Sequence, residues 1–315
     1  MFVAASLLAI AMSVQTPAEK PFFETGTLAA SVLGRKVNAY PVIARTAAGQ
    51  LFTVWTVHGE GRGKTAVIVG AFSQDGGRTW GEPRTLIATP GKNDYDPNIV
   101  IDGKRILVYS TTTGDQRKGI DKSWVYMTMS EDEGKTWSLP AEIKMPYKYF
   151  VGKRHIGIKL RDGTLAMPFA WDIWAETDTP ARTEGEMDLK SGVLLSKDGG
   201  LTWEPHGELH IFERKVTPFS TGGVCEPALV ELANGELYML MRTGTAWLYE
   251  ARSRDGGRTW SRPKNVATSN GPQVSYPGIT QANDGTFVAV WQQDLPGGGR
   301  EIRWARFNRA WVLAE

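Results

Sequence analysis

An eight-residue turn written four times constrains this chain more than any other feature: SQDGGRTW (73–80), SEDEGKTW (130–137), SKDGGLTW (196–203) and SRDGGRTW (253–260). Its aspartates, Asp75, Asp132, Asp198 and Asp255, are spaced 57, 66 and 57 residues apart. A fixed period of this kind marks a chain assembled from repeated supersecondary units. Within each turn the carboxylate can accept hydrogen bonds from backbone N–H groups, the glycines can take positive φ, and the Trp can pack between sheets. A reaction centre needs unlike residues at one place rather than like residues at four. The four aspartates are therefore expected to hold the fold.

A second pattern precedes each turn and occurs five times: 40–56, 96–111, 155–172, 226–243 and 276–293. Each copy is an apolar run, a polar turn such as Asp162-Gly163 or Asn234-Gly235, and a second apolar run, which reads as a β-hairpin. A third strand, the Asp turn and a short fourth strand such as PRTLIAT complete four strands per unit. The fifth unit runs through REIRWARFNRAW to Trp311 without an Asp turn. The fold class expected is all-β, a β-propeller of four-stranded blades with five blades visible and six as the alternative.

Composition supports that reading and narrows the partners. The 35 glycines and 12 tryptophans suit short strands joined by tight turns. A net charge of +2 gives no bulk attraction for nucleic acid. The lone Cys225 excludes an internal disulfide, and histidines 58, 155, 206 and 210 form no metal-ligand pattern, so neither a metal nor another cofactor is expected. Residues 1–20 read as a signal peptide through the apolar run Phe2–Val14, although a basic n-region is lacking. An internal start site and a membrane-anchored variant are the alternatives. The expectation is one propeller domain over 21–315, secreted or periplasmic, monomeric and without stable membrane insertion.

The S-x-D-x-G-x-T-W turn resembles the Asp box of the sialidase (neuraminidase) superfamily, and the resemblance runs from about residue 24 to the end. The sharper match is EPALVELANGELYMLMR, which places Glu226, Glu231, Asn234-Gly235 and Arg242 at the family's offsets. The resemblance implies that Glu226 is the base that polarises a nucleophilic tyrosine and that Arg242 helps clamp the substrate carboxylate. YPGIT offers Tyr276 as that tyrosine. A neutral nucleophile paired with a carboxylate keeps two anions from meeting near an acidic sugar, and the planar guanidinium fork binds a carboxylate through both oxygens. The departures are specific. Ala39 in NAYP stands where the family has its first arginine, and Arg62 stands where it has the acid/base aspartate, leaving His58 and Glu60 as the nearest substitutes. Only 34 residues separate Arg242 from Tyr276, too few for the blade that carries a third arginine.

If the first strand of each unit lines the channel, Tyr40, Asp94, Asp96, Arg154, His155, Glu226 and Tyr276 gather at one mouth. Lys153 and Arg154 are candidates to bind an anionic sugar, with a solvated basic loop as the plainer alternative. His155 and Asp96 are further acid/base candidates. Trp171 and Asp172 follow a strand where an indole could stack on a sugar, although core packing accounts equally for the tryptophan. The function expected is an exo-acting glycoside hydrolase of the sialidase type that removes a terminal acidic sugar from a glycan. A lyase acting on uronate-containing chains and a noncatalytic carbohydrate-binding propeller remain open, because fold does not fix function.

Overall fold

The computed structural model describes residues 20–59, 65–114, 123–145, 150–151, 156–173, 187–212, 222–245, 247–268, 278–295 and 299–313. After β1 (Phe23–Ala29), the strands β2 (Val37–Arg45), β3 (Leu51–His58), β4 (Val67–Ser73) and β5 (Arg84–Ile87) pair antiparallel in succession. The same order recurs in β6 (Asn93–Asp102), β7 (Arg105–Thr113), β8 (Ser123–Ser130) and β9 (Ala141–Ile143). In the third unit the innermost strand is divided: β10 (Phe150–Val151) and β11 (Ile158–Lys159) each pair with β12 (Leu165–Asp172), which pairs with β13 (Asp188–Ser196) and through it with β14 (Glu204–Leu209).

The fourth unit is regular, with β15 (Gly222–Glu231), β16 (Leu237–Thr243), β17 (Trp247–Ser253) and β18 (Lys264–Thr268). The last comprises β19 (Gly278–Gln281), β20 (Phe287–Asp294) and β21 (Arg300–Phe307), followed by the short helix α1 (Arg309–Leu313).

The last unit takes its outer strand from the other end of the chain. β1 pairs antiparallel with β21, Phe23 opposite Phe307. This explains the missing fifth Asp turn: no fourth strand follows β21, so no turn is needed to reach one. Around the junction, Trp311 stacks on Phe23 at 4.6 Å, and buried Arg306 pairs with Asp284 and with Glu24.

Each Asp turn joins the third and fourth strands of its unit, and its hydrogen bonds are internal. The Asp75 carboxylate accepts from the Ser73 and Thr79 hydroxyls and from the Arg78 and Thr79 backbone N–H groups, while the Trp80 indole donates to the Gly77 carbonyl. The indole bond recurs from Trp137 to Gly134, Trp203 to Gly200 and Trp260 to Gly257. Desolvation pushes the Asp75, Asp198 and Asp255 carboxyls up, but the hydrogen bonds together outweigh it and hold each at about 2. Asp132, whose strongest influence is the Thr136 backbone N–H, is likewise held at about 2.

The turns also join one unit to the unit before it. Trp137 lies 5.7 Å from Phe52 of the first unit, and Trp203 meets Tyr109 of the second unit edge-on at 5.7 Å. The Tyr109 hydroxyl donates to the Gly200 carbonyl. Gly200 has φ +90, and a Cβ there would stand 2.5 Å from the Tyr109 oxygen, so the contact requires glycine twice over. The first turn follows the same rule around the closure, with Gly77 set against Val288 of the last unit. Rather than decorating an outer edge, the turns clasp successive units.

Two outcomes follow. Trp203→Ala, which empties a buried indole site between units, should cost about 3–5 kcal/mol in urea unfolding. Because the four aspartates sit below their unfolded value of 3.8, their contribution is complete above about pH 4 and is lost as pH falls toward 2. The thermal midpoint should therefore drop across that window, and Asp75→Asn or Asp198→Asn should flatten the drop.

Candidate functional site

Three candidate residues named from the sequence share one unusual backbone geometry. Tyr40, Asp96 and Glu226 each precede a proline, and each has positive φ, at 57°, 45° and 50°. A residue before proline ordinarily takes an extended conformation, and a non-glycine residue in the left-handed region costs about 1–3 kcal/mol. In each case the strand pairing jumps: between Ala39 and Val42 on β2, between Tyr95 and Asn98 on β6, and between Cys225 and Ala228 on β15. These are β-bulges, which re-aim a side chain and commonly lie beside functional sites. The same Tyr-Pro dipeptide occurs at Tyr276, which lies outside the described residues.

Glu226 makes the most definite contact. Cys225 is opposite Arg242 across β15 and β16, and the bulge brings the next residue, Glu226, to the same guanidinium. Arg242 Nη1 donates to Glu226 Oε1 at 2.9 Å, with the glutamate side chain 8% exposed and the arginine 27%. Nη1 also lies 3.9 Å from Cys225 Sγ. Arg242 is thus partly exposed, and its Nη1 meets a nearly buried anion.

A second cluster joins the first two units. His58, the last residue of β3 and 2% exposed, has its ring 5.9 Å from Tyr40 and 5.4 Å from Tyr95. Tyr40 and Tyr95 belong to one buried cluster with Ala39 and Ala66. Beside them Asp94 is fully buried and accepts from the Thr89 N–H and from the Thr89 and Thr112 hydroxyls. Burial pushes its carboxyl up, against the downward pull of those donors. The site pattern in the sequence did not assign a role to Tyr95, whose position directly before Asp96 was its only signal.

Trp171 and Asp172 end β12, and both are buried. Trp171 stacks on Phe169 at 4.8 Å within the core, so its indole is not presented to solvent, and packing accounts for it. Glu60, Lys153, Arg154 and His155 lie outside the described residues. Among the described residues, no group of three or more His, Cys, Asp or Glu side chains is placed to hold a metal ion. No described helix is long and apolar enough to cross a membrane. Arg242→Met, which leaves Glu226 without this cation, should destabilise the fold by about 2–3 kcal/mol. Arg242→Lys should cost less, as measured by urea unfolding of the three proteins side by side.

Comparison with known proteins places this geometry in context. Residues 49–273 match the family model of the BNR repeat-like domain. Over 220 residues the chain is 27% identical to a sialidase of Bacteroides fragilis, in an alignment covering 60% of this chain and 36% of that protein. It is 22% identical over 299 residues to an exo-alpha-sialidase of Aspergillus fumigatus, covering 76% of this chain and 70% of the other. Among solved structures, the intramolecular trans-sialidase of Ruminococcus gnavus, in complex with oseltamivir carboxylate, superposes with a TM-score of 0.69 at 13% identity, covering 92% of this chain and 98% of the other. Trypanosoma rangeli sialidase, with the inhibitor DANA, gives 0.67 at 14% identity, covering 89% of this chain and 56% of the other. The chain belongs to the BNR repeat-like family and has the all-β architecture of the sialidase propellers.

Proposed function

We propose that the chain is an exo-acting glycoside hydrolase of the sialidase type, cleaving a terminal acidic sugar from a glycan, on a five-bladed propeller exported by its N-terminal segment. The observation that carries the reading is the Glu226–Arg242 pair at 2.9 Å, offered by a strained bulge on the first strand of its unit. A backbone held in the left-handed region before proline is kept only where the surrounding structure over-determines it, and such strain clusters at functional sites. Similarity to sialidases at 22–27% identity supports the same class.

In this reading Tyr276 attacks the anomeric carbon as its phenolic proton passes to Glu226, and a glycosyl–tyrosine bond forms as the bond to the leaving oxygen breaks. An acid drawn from His58, Glu60, Asp96 or His155 protonates that oxygen. Water then attacks the same carbon, giving a proton to the conjugate base of that acid, while the glycosyl–tyrosine bond breaks and the Tyr276 oxygen takes its proton back from Glu226. Arg242 faces the sugar's carboxylate, with Arg154 and Lys153 as further cations. Ala39 in place of an arginine leaves that clamp dependent on fewer cations, and Tyr40 gives the neighbouring wall an aromatic character.

Hydrolysis of 4-methylumbelliferyl sialic acid and of a panel of acidic glycans tests the reading. The expected result is release of reducing sugar without the ultraviolet absorbance of an unsaturated uronate. Glu226→Gln should lower kcat by about 10²–10⁴-fold, and Arg242→Ala should act chiefly through KM. An unsaturated product would indicate a lyase, and binding without turnover a noncatalytic propeller. Full activity in both variants would remove Glu226 and Arg242 from the site.

A further inference from the structure

We infer that Asn93 and Asn98 are positioning residues that hold Asp96 where it meets the sugar, by tying its strand to the units on either side. The inference rests on the glycosidase reading above. The two asparagines bracket the Asp96 bulge on β6, one before it and one after, and both are buried, at 4% and 0% exposed.

Asn93 is fastened to the first unit. Its Oδ1 accepts from the Ala66 backbone N–H at 3.2 Å, and the Asp94 N–H donates to the Ala66 carbonyl at 2.9 Å. Both backbone groups of the residue directly before β4 are thus taken up by the start of β6. Asn93 Nδ2 donates at 2.8 Å to the Gly114 carbonyl, just past the end of β7. Asn98 is fastened to the third unit. Its Oδ1 accepts at 3.0 Å from the Gly157 N–H, which also reaches the Ile99 carbonyl at 2.8 Å, and Val100 and Gly157 form a parallel bridge. A Cβ at Gly157 would stand 2.6 Å from Val100 Cγ2, so glycine lets the two innermost strands come this close. Asp96 therefore lies between two side-chain clamps, each closed on a different neighbouring unit.

The repeats provide an internal comparison. The bulges at Tyr40 and Glu226 have Val37 and Val42, and Gly223 and Ala228, at the corresponding positions. None of these side chains can hydrogen-bond, yet both bulges form with positive φ. The asparagines are therefore not needed to make a bulge. What they add is the placement of β6 between its neighbours. A buried amide offsets its desolvation only when its partners are held in place, and a misplacement of about 1 Å near the chemistry can cost about 100-fold in rate.

A double-mutant cycle on the hydrolysis of 4-methylumbelliferyl sialic acid separates placement of Asp96 from general stability. Asp96→Ala should lower kcat/KM about 100-fold, and Asn93→Ala and Asn98→Ala about tenfold each. In the Asp96→Ala background neither asparagine variant should lower kcat/KM further, although each still lowers the thermal midpoint. Serine, which keeps a polar atom but is too short to reach the same partners, replaces alanine at either position where the alanine variant does not fold. If the losses multiply in the double variants, or if Asp96→Ala or both asparagine variants keep the full rate, the inference is overturned and the glycosidase reading stands. If wild type cleaves no acidic glycoside, the glycosidase reading falls and this inference with it.

Discussion

The structure depends on the way each Asp turn satisfies itself and then leans on its neighbour. A carboxylate that accepts from two hydroxyls and two backbone N–H groups closes a tight loop that water would otherwise have to solvate. The closed loop presents a glycine and an indole to the preceding unit, as at Gly200 and Trp203 against Tyr109. β1, added to β21, completes the last unit with a strand that precedes the first. Local turn chemistry is thereby converted into the spacing between units.

That rigid frame allows backbone strain where the first strands begin. Tyr40, Asp96 and Glu226 occupy corresponding bulges in three units, each in a conformation that an isolated chain would leave. The frame holds the same geometry three times while the side chain differs each time: a phenol, a buried carboxylate, and a carboxylate bound to Arg242. Repeated structure supplies the positions, and divergence among the repeats supplies unlike chemistry at one end of the units.

The Asp turns and hairpins were legible in the sequence because their determinants are contiguous: a carboxylate, glycines and a tryptophan within eight residues, or two apolar runs flanking Asp162-Gly163. Glu226 and Arg242 were legible through the resemblance, and their sixteen-residue separation is spanned by one hairpin. The closure of β1 on β21 was not, since it joins Phe23 to Phe307 with no turn between them to announce it. The bulges were hidden for the opposite reason, because a residue before proline reads as extended. The tryptophan at 171 gives the same composition signal whether it faces a sugar or a core, and only Phe169 beside it decides the matter.

The central claim is that the proline-linked bulges aim Tyr40, Asp96 and Glu226 at one sugar-binding mouth. A crystal structure of the chain with the sialidase inhibitor DANA tests it most directly. The account expects the inhibitor at the starts of β2, β6 and β15, its carboxylate on Arg242 and its ring beside Tyr40, with the three positive φ angles retained. An inhibitor bound elsewhere, or Tyr40, Asp96 and Glu226 facing separate surfaces, would contradict it.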